Sequence, residues 1–234
     1  MSSNGRRTLL IDADDTLWQN DLHYRASTAR FAELVAGLGV ARRRVQPLVD
    51  HYEHVHIAEG GYGPTSFTSA LFDAWRHLTR EQGREPTGLE LVRVRACTQR
   101  LFSPAVELLP DVAATLERLA PCCSLIMVTK GEVDFQLAKL QGSGLAAHFE
   151  RAHVLAHKDV SAYLALITAL RLDPNDTWMV GNSPRSDINP ALRAGLGAVY
   201  IPSPHTWHQE LEALIESPRL HRLERFAQLA ALFA

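Results

Sequence analysis

The chain has 234 residues, a formal net charge of −2 and 46% hydrophobic residues, enough for one large domain or a core with an insertion. The near-neutral charge leaves no electrostatic footprint for nucleic acid or an anionic membrane surface. No apolar run approaches the ~20 residues that cross a bilayer.

The opening "MSSNGRRT" is polar and runs straight into a strand, with no signal-peptide hydrophobic region. Of three cysteines, Cys122 and Cys123 are adjacent and Cys97 stands apart, an odd count without framework spacing that points to a reducing, cytoplasmic compartment. The first strand, "TLLIDA", is short and aliphatic, as a strand buried on both faces must be. From Asp21 to Leu101 strands disappear. Four segments with helical periodicity follow at roughly 22–38, 42–58, 65–83 and 88–101, separated by "GLG", "EGGYGP" and "GREPTG". In the second, Val45, Leu48, Val49, Tyr52 and Val55 form one apolar stripe. His51, His54 and His56 share this segment. At ~100° per residue, His54 and His56 point about 160° apart, so the three do not converge on a zinc ion, and His56 falls on the apolar stripe.

After Ser103 strands and helices alternate: a helix near 111–119, the strand "SLIMVT", a helix near 133–141, "AHVLA", a helix over 160–171, "TWMVG", a helix near 188–194, then "GAVYIP". A short strand and helix are expected around 221–232. This order predicts an α/β fold, a Rossmann-like parallel sheet with helices on both faces, plus an all-helical insertion. The core is then discontinuous, residues 1–17 with 104–234, and the helical domain covers 18–103.

Ligands of open parallel sheets bind outside the carboxyl ends of the strands. There the sequence places Asp12, Asp14, Asp15 and Thr16 after the first strand, Thr129 and Lys130 after the second, Lys158 and Asp159 after the third, and Asn182, Ser183 and Asp187 after the fourth. Carboxylates, a hydroxyl and an ammonium at one edge suit a divalent cation beside a phosphate, since hard cations such as Mg²⁺ take oxygen ligands. Lysine occurs only at positions 130, 139 and 158, so one at a strand-to-helix junction is not incidental.

In these strand-end motifs the sequence resembles the haloacid dehalogenase superfamily. Its phosphatases carry Asp-x-Asp-x-Thr after the first strand, matched by Asp12, Asp14 and Thr16. They carry a Thr or Ser after the second, matched by Thr129, a Lys ahead of a helix, matched by Lys158, and an acidic loop, matched by Asp187 in "GNSPRSDINPALRAG". The resemblance covers essentially the whole chain and implies an inserted helical cap. It implies Asp12 as nucleophile, Asp14 as general acid and base, and Mg²⁺ held by Asp12, the Asp14 carbonyl and Asp187, with Asn182 as a further oxygen donor. It also implies Thr129 and Lys158 on the phosphoryl oxygens. Thr16 and Lys130 are expected beside them at the phosphate, and Trp18, Asn20 and Tyr62 as substrate contacts at the entry and in the glycine-rich break of the cap.

Two positions depart from the pattern. Asp15 stands where glycine is usual, and Asn182 stands where the fourth motif often has Asp. The expected activity is hydrolysis of a small phosphorylated metabolite, by a monomer or homodimer. A phosphomutase, a 2-haloacid dehalogenase and a silent ligand-binding protein are the alternatives on the same fold; Asp14 and Asp187 together favour phosphoryl chemistry.

Overall fold

The computed structural model describes residues 6–234. The chain divides into two compact units, one formed by the chain up to Asp21 with Ala105–Ala234, the other by Leu22–Pro104. No helix among the described residues is long and apolar enough to cross a membrane.

The first unit opens with β1 (Arg7–Ile11) and leads into α1 (Asp21–Ala36). The inserted unit continues with α2 (Val45–Gly60), α3 (Pro64–Glu81) and α4 (Gly88–Thr98), and contains no strand among its described residues. Its core is built from Phe31, Val35, Val49, Phe67, Leu71, Trp75, Leu78 and Val94. The start of α4 is a capping box. Thr87 accepts from the Glu90 amide and Glu90 accepts from the Thr87 amide, which satisfies two of the donors a helix start leaves open. His56, expected on the apolar stripe of α2, instead bonds Asp73 at 2.7 Å and stays partly exposed.

The α/β unit resumes with α5 (Val112–Leu119), β2 (Cys123–Lys130), α6 (Val133–Gly142), β3 (Arg151–Leu155) and α7 (Val160–Leu170). It closes with β4 (Thr177–Gly181), α8 (Asn189–Arg193), β5 (Gly197–Tyr200), β6 (Leu220–Arg222) and α9 (Leu229–Phe233). The six strands form one parallel sheet in the order β3-β2-β1-β4-β5-β6. Successive side chains of a strand face opposite ways. Leu9, Ile11, Leu125 and Met127 therefore pack with α5 and α9, while Leu10, Ile126, Val128 and Met179 pack with α7 and α8. The chain winds one way from β1 to β3 and the other way from β4, so β1 sits at the reversal, where such sheets bind ligands.

The expected boundary at residue 17 lies four residues too early. Leu17 O accepts from Leu109 N, Gln19 N donates to Glu107 O, and Trp18 is fully buried in the core of the α/β unit. The chain leaves this unit only after Asp21.

Candidate functional site

Asp12 follows the last residue of β1, and its amide donates to Val180 O of β4 at 2.9 Å, fixing it at the sheet edge. Lys158 follows β3, one residue ahead of Asp159, whose side chain caps α7 by accepting from Ala162 N. Asp187 lies in a π-helical turn, Pro184–Ile188, a widened geometry common at functional sites. The sheet order brings these three together. The Lys158 ammonium donates to Asp12 Oδ1 at 2.5 Å and to Asp187 Oδ1 at 2.8 Å, with all three side chains buried. Asp187 Oδ2 accepts from Ser183 N at 2.9 Å and lies flat against Gly181, where a side chain would occupy its space.

Two buried carboxylates share one ammonium here. Burial, then the nearby Asp187 charge, push the Asp12 carboxyl up to about 7 against the pull of Lys158. Burial alone would lower Lys158, but Asp12 and Asp187 outweigh it and hold the ammonium above its ordinary value.

Thr16 Oγ1 is hydrogen-bonded to Asp12 Oδ2 at 2.9 Å and to Asn182 Oδ1 at 3.2 Å. Asn182 Nδ2 donates to Thr206 Oγ1 at 2.8 Å, which leaves the amide oxygen facing Thr16. No group of three or more His, Cys, Asp or Glu side chains suited to a metal occurs among the described residues. A cation here would rest on two carboxylates, Asp12 and Asp187, with neutral oxygens and water completing the shell. That donor set, short of positive charge and lacking soft ligands, fits Mg²⁺.

Thr129 is buried at the carboxyl end of β2, whose neighbour in the sheet is β1. Asp14, in the same unit, is held by three donors. Trp18 Nε1 donates to Oδ1 at 2.7 Å, Gln136 Nε2 donates to Oδ2 at 2.7 Å, and Lys139 Nζ donates to Oδ1. Burial would raise this carboxyl, but Lys139 and the hydrogen bonds outweigh it and keep it below its ordinary value.

The structure places the remaining expected contacts as follows. Trp18, expected as a substrate contact, is fully buried with its indole N–H donated to Asp14. Thr16, expected at the phosphate, turns its hydroxyl to Asp12 and Asn182. Lys130 is neutralised: its ammonium donates to Glu210 Oε1 at 2.7 Å and Ser186 Oγ at 2.9 Å, tying the end of β2 to the loops after β4 and β5. Burial would raise Glu210, but Lys130 holds it below its ordinary value. Asn20 accepts from Lys139 Nζ at 3.1 Å. Tyr62 lies half-buried between α2 and α3 of the inserted unit.

Asp15, for which the sequence offers no role, caps the start of α1. Its carboxylate accepts from the amides of Asn20 at 3.0 Å and Asp21 at 3.0 Å, and its φ of 62° is the left-handed region that Asp tolerates and glycine favours. Sequence reasoning missed Lys139, Gln136 and Glu210. Lysine scarcity marks the first: all three lysines of the chain pair with carboxylates at this edge.

A family model described as haloacid dehalogenase-like hydrolase matches residues 6–195. A phosphoserine phosphatase from Thermus thermophilus is 28% identical over 219 residues, 83% of this chain and 88% of that protein. Among solved structures, a haloacid dehalogenase-like family hydrolase from Xanthomonas campestris superposes with a TM-score of 0.86 at 24% identity, covering 99% of this chain and 93% of that one. The L-2-haloacid dehalogenase from Xanthobacter autotrophicus gives 0.60 at 16% identity, covering 97% and 98%. Both structural likenesses are likenesses of fold.

Proposed function

Since this chain belongs to the haloacid dehalogenase-like hydrolases, we propose that it is a Mg²⁺-dependent phosphatase of a small phosphate monoester, working through an aspartyl-phosphate on Asp12. The observation that carries this reading is the buried cluster of Asp12, Asp187 and Lys158 with a second carboxylate, Asp14, two residues from the nucleophile. A dehalogenase needs neither Asp14 nor a cation site.

Asp12 attacks phosphorus and the ester oxygen leaves. The negative charge of the substrate's phosphate, arriving beside Asp14, works against Lys139 and raises the carboxyl so that it takes up a proton. Asp14 gives that proton to the departing alkoxide, then takes one from the water that attacks the phosphorus of the aspartyl-phosphate, releasing inorganic phosphate and restoring Asp12. Lys158 neutralises and Thr129 helps to orient the phosphoryl oxygens, so much of the catalysis is positioning and charge stabilisation. Thr16, itself bonded to Asn182, holds Asp12 in place. Mg²⁺, which Asp12 and Asp187 would hold with the Asp14 carbonyl and Asn182 as further oxygen donors, would supply positive charge against the repulsion between nucleophile and phosphate. The free cysteines Cys97, Cys122 and Cys123 support a cytoplasmic setting.

A hydrolysis screen tests the reading, over phosphoserine, phosphoglycolate, sugar phosphates and nucleotides, with Mg²⁺ and with EDTA. Expected is Mg²⁺-dependent phosphate release that Asp12→Asn abolishes. Metal-independent halide release from 2-haloacids overturns it, and transfer of phosphate within a sugar phosphate shows a mutase instead.

A further inference from the structure

The two oxygens of Asp14 are served unequally. Oδ1 accepts two donors, the Trp18 indole at 2.7 Å and the Lys139 ammonium, whereas Oδ2 accepts one, Gln136 Nε2 at 2.7 Å. A carboxylate oxygen has about two lone-pair sites. Oδ1 is therefore full, and Oδ2 keeps one site for a proton.

The groups that fill Oδ1 are themselves immobilised. Lys139 is buried, donates also to Asn20 Oδ1 at 3.1 Å, and places its ammonium 5.5 Å from the Trp18 ring centre, a cation–π distance. Gln136 sits one turn earlier on the same face of α6 and is fastened to the end of β2. Its amide donates to Lys130 O at 2.8 Å and packs so closely on Gly131 that a Cβ there would lie 3.1 Å from Nε2. Without such anchors an aspartate is free to turn, because χ2 has a broad, two-fold profile that exchanges its oxygens. A buried lysine is costly unless its charge is used, and this one meets a carboxylate that the mechanism needs oriented.

We propose that Lys139 is a positioning residue for proton transfer: with Trp18 it anchors Oδ1 of Asp14, so that Oδ2 is the oxygen through which the proton passes. As the ester P–O bond breaks, the proton on Oδ2 goes to the leaving oxygen. As water attacks the aspartyl-phosphate and its bond to Asp12 breaks, the water's proton returns to Oδ2. This assignment rests on the phosphatase reading.

The test compares two substrates in Lys139→Met, Lys139→Gln and Lys139→Arg. An alkyl phosphate needs its leaving oxygen protonated, whereas p-nitrophenolate departs without a proton. In Lys139→Met, kcat for an alkyl monoester that the wild type hydrolyses falls by about 10- to 100-fold with KM within about threefold, on the scale of a displaced catalytic group. The pre-steady-state burst of p-nitrophenol from p-nitrophenyl phosphate stays within about threefold of wild type. Lys139→Arg recovers most of the loss, and Lys139→Gln provides the neutral comparison if the Met variant does not fold. Equal losses in alkyl turnover and in burst rate, wild-type turnover in the neutral variants, or an Arg variant no better than they are overturns the proposal. A wild-type protein with neither a burst nor phosphate release refutes the phosphatase reading itself, which is a separate outcome.

Discussion

Replacing Gly181 by alanine is a small change in composition and a large one in geometry. A Cβ at this position would lie 2.2 Å from Oδ2, 2.4 Å from Cγ and 2.7 Å from Cβ of Asp187, against the 3.4 Å at which ordinary contact begins. The Asp187 side chain must retreat by about 1 Å or more, and because its own Cβ is too close, rotating the carboxylate alone does not relieve the clash. A shift of that size carries its bonds to Lys158, at 2.8 Å, and to Ser183 N, at 2.9 Å, out of hydrogen-bond range. Overpacking costs about 1–3 kcal/mol and weakened bonds to a buried charge about 1.5–3 kcal/mol. Gly181→Ala is thus expected to lose about 3–5 kcal/mol, which for a chain of this size lowers Tm by on the order of 10 °C. Activity falls further: a displacement of about 1 Å at a site whose chemistry is positioning costs on the order of 100-fold in kcat. Circular dichroism melting and phosphate-release kinetics across a Mg²⁺ titration, at a temperature where the variant is folded, measure both. Wild-type kcat and Mg²⁺ dependence in folded Gly181→Ala would refute the argument, because Asp187 could not then be both displaced and needed.

Burial pushes the Asp15 carboxyl from an ordinary 3.8 up to about 7. A folded-state value above the unfolded one gives stability that is fully present below about pH 4 and lost as the pH rises through 7. Asp15→Asn keeps an acceptor for the α1 amides without ionising. Relative to wild type it is expected to gain stability from about pH 4 to 8, with a ceiling on the order of 4 kcal/mol at about 1.36 kcal/mol per pH unit. Urea unfolding in EDTA at the two pH values checks this, and a constant difference sinks it. Glu210→Gln leaves the Lys130 ammonium without its carboxylate and is expected to cost about 2 kcal/mol or more. The double variant with Lys130→Met recovers part of that loss, so a denaturation double-mutant cycle showing simple additivity counts against the pair.

Parts of this fold are legible because their cause is local. A short unbroken aliphatic run, Leu9, Leu10 and Ile11, buried on both faces, makes β1, and polar residues right after each strand mark the ligand edge, since backbone geometry alone puts them there. Asp12, Lys158 and Asp187 are readable in that way, each from its own few neighbours. Asp15 is half-legible: its place in a turn follows from residue type, but that its carboxylate reaches six residues on to the α1 amides does not.

The sequence by itself determined the kinds of group present, their order along the chain and the alternation of strand and helix, because these follow from propensity and periodicity within a few residues. Which group meets which was decided only by the tertiary structure. Lys158 lies 146 positions from Asp12, Lys139 lies 125 from Asp14, and Lys130 lies 80 from Glu210. The three lysines look equivalent as isolated letters. Their partners differ because the strand order β3-β2-β1-β4-β5-β6 and the face of α6 carry each to a different carboxylate. A buried charge is retained only where such a partner awaits it, and that is a property of the packed chain rather than of any segment.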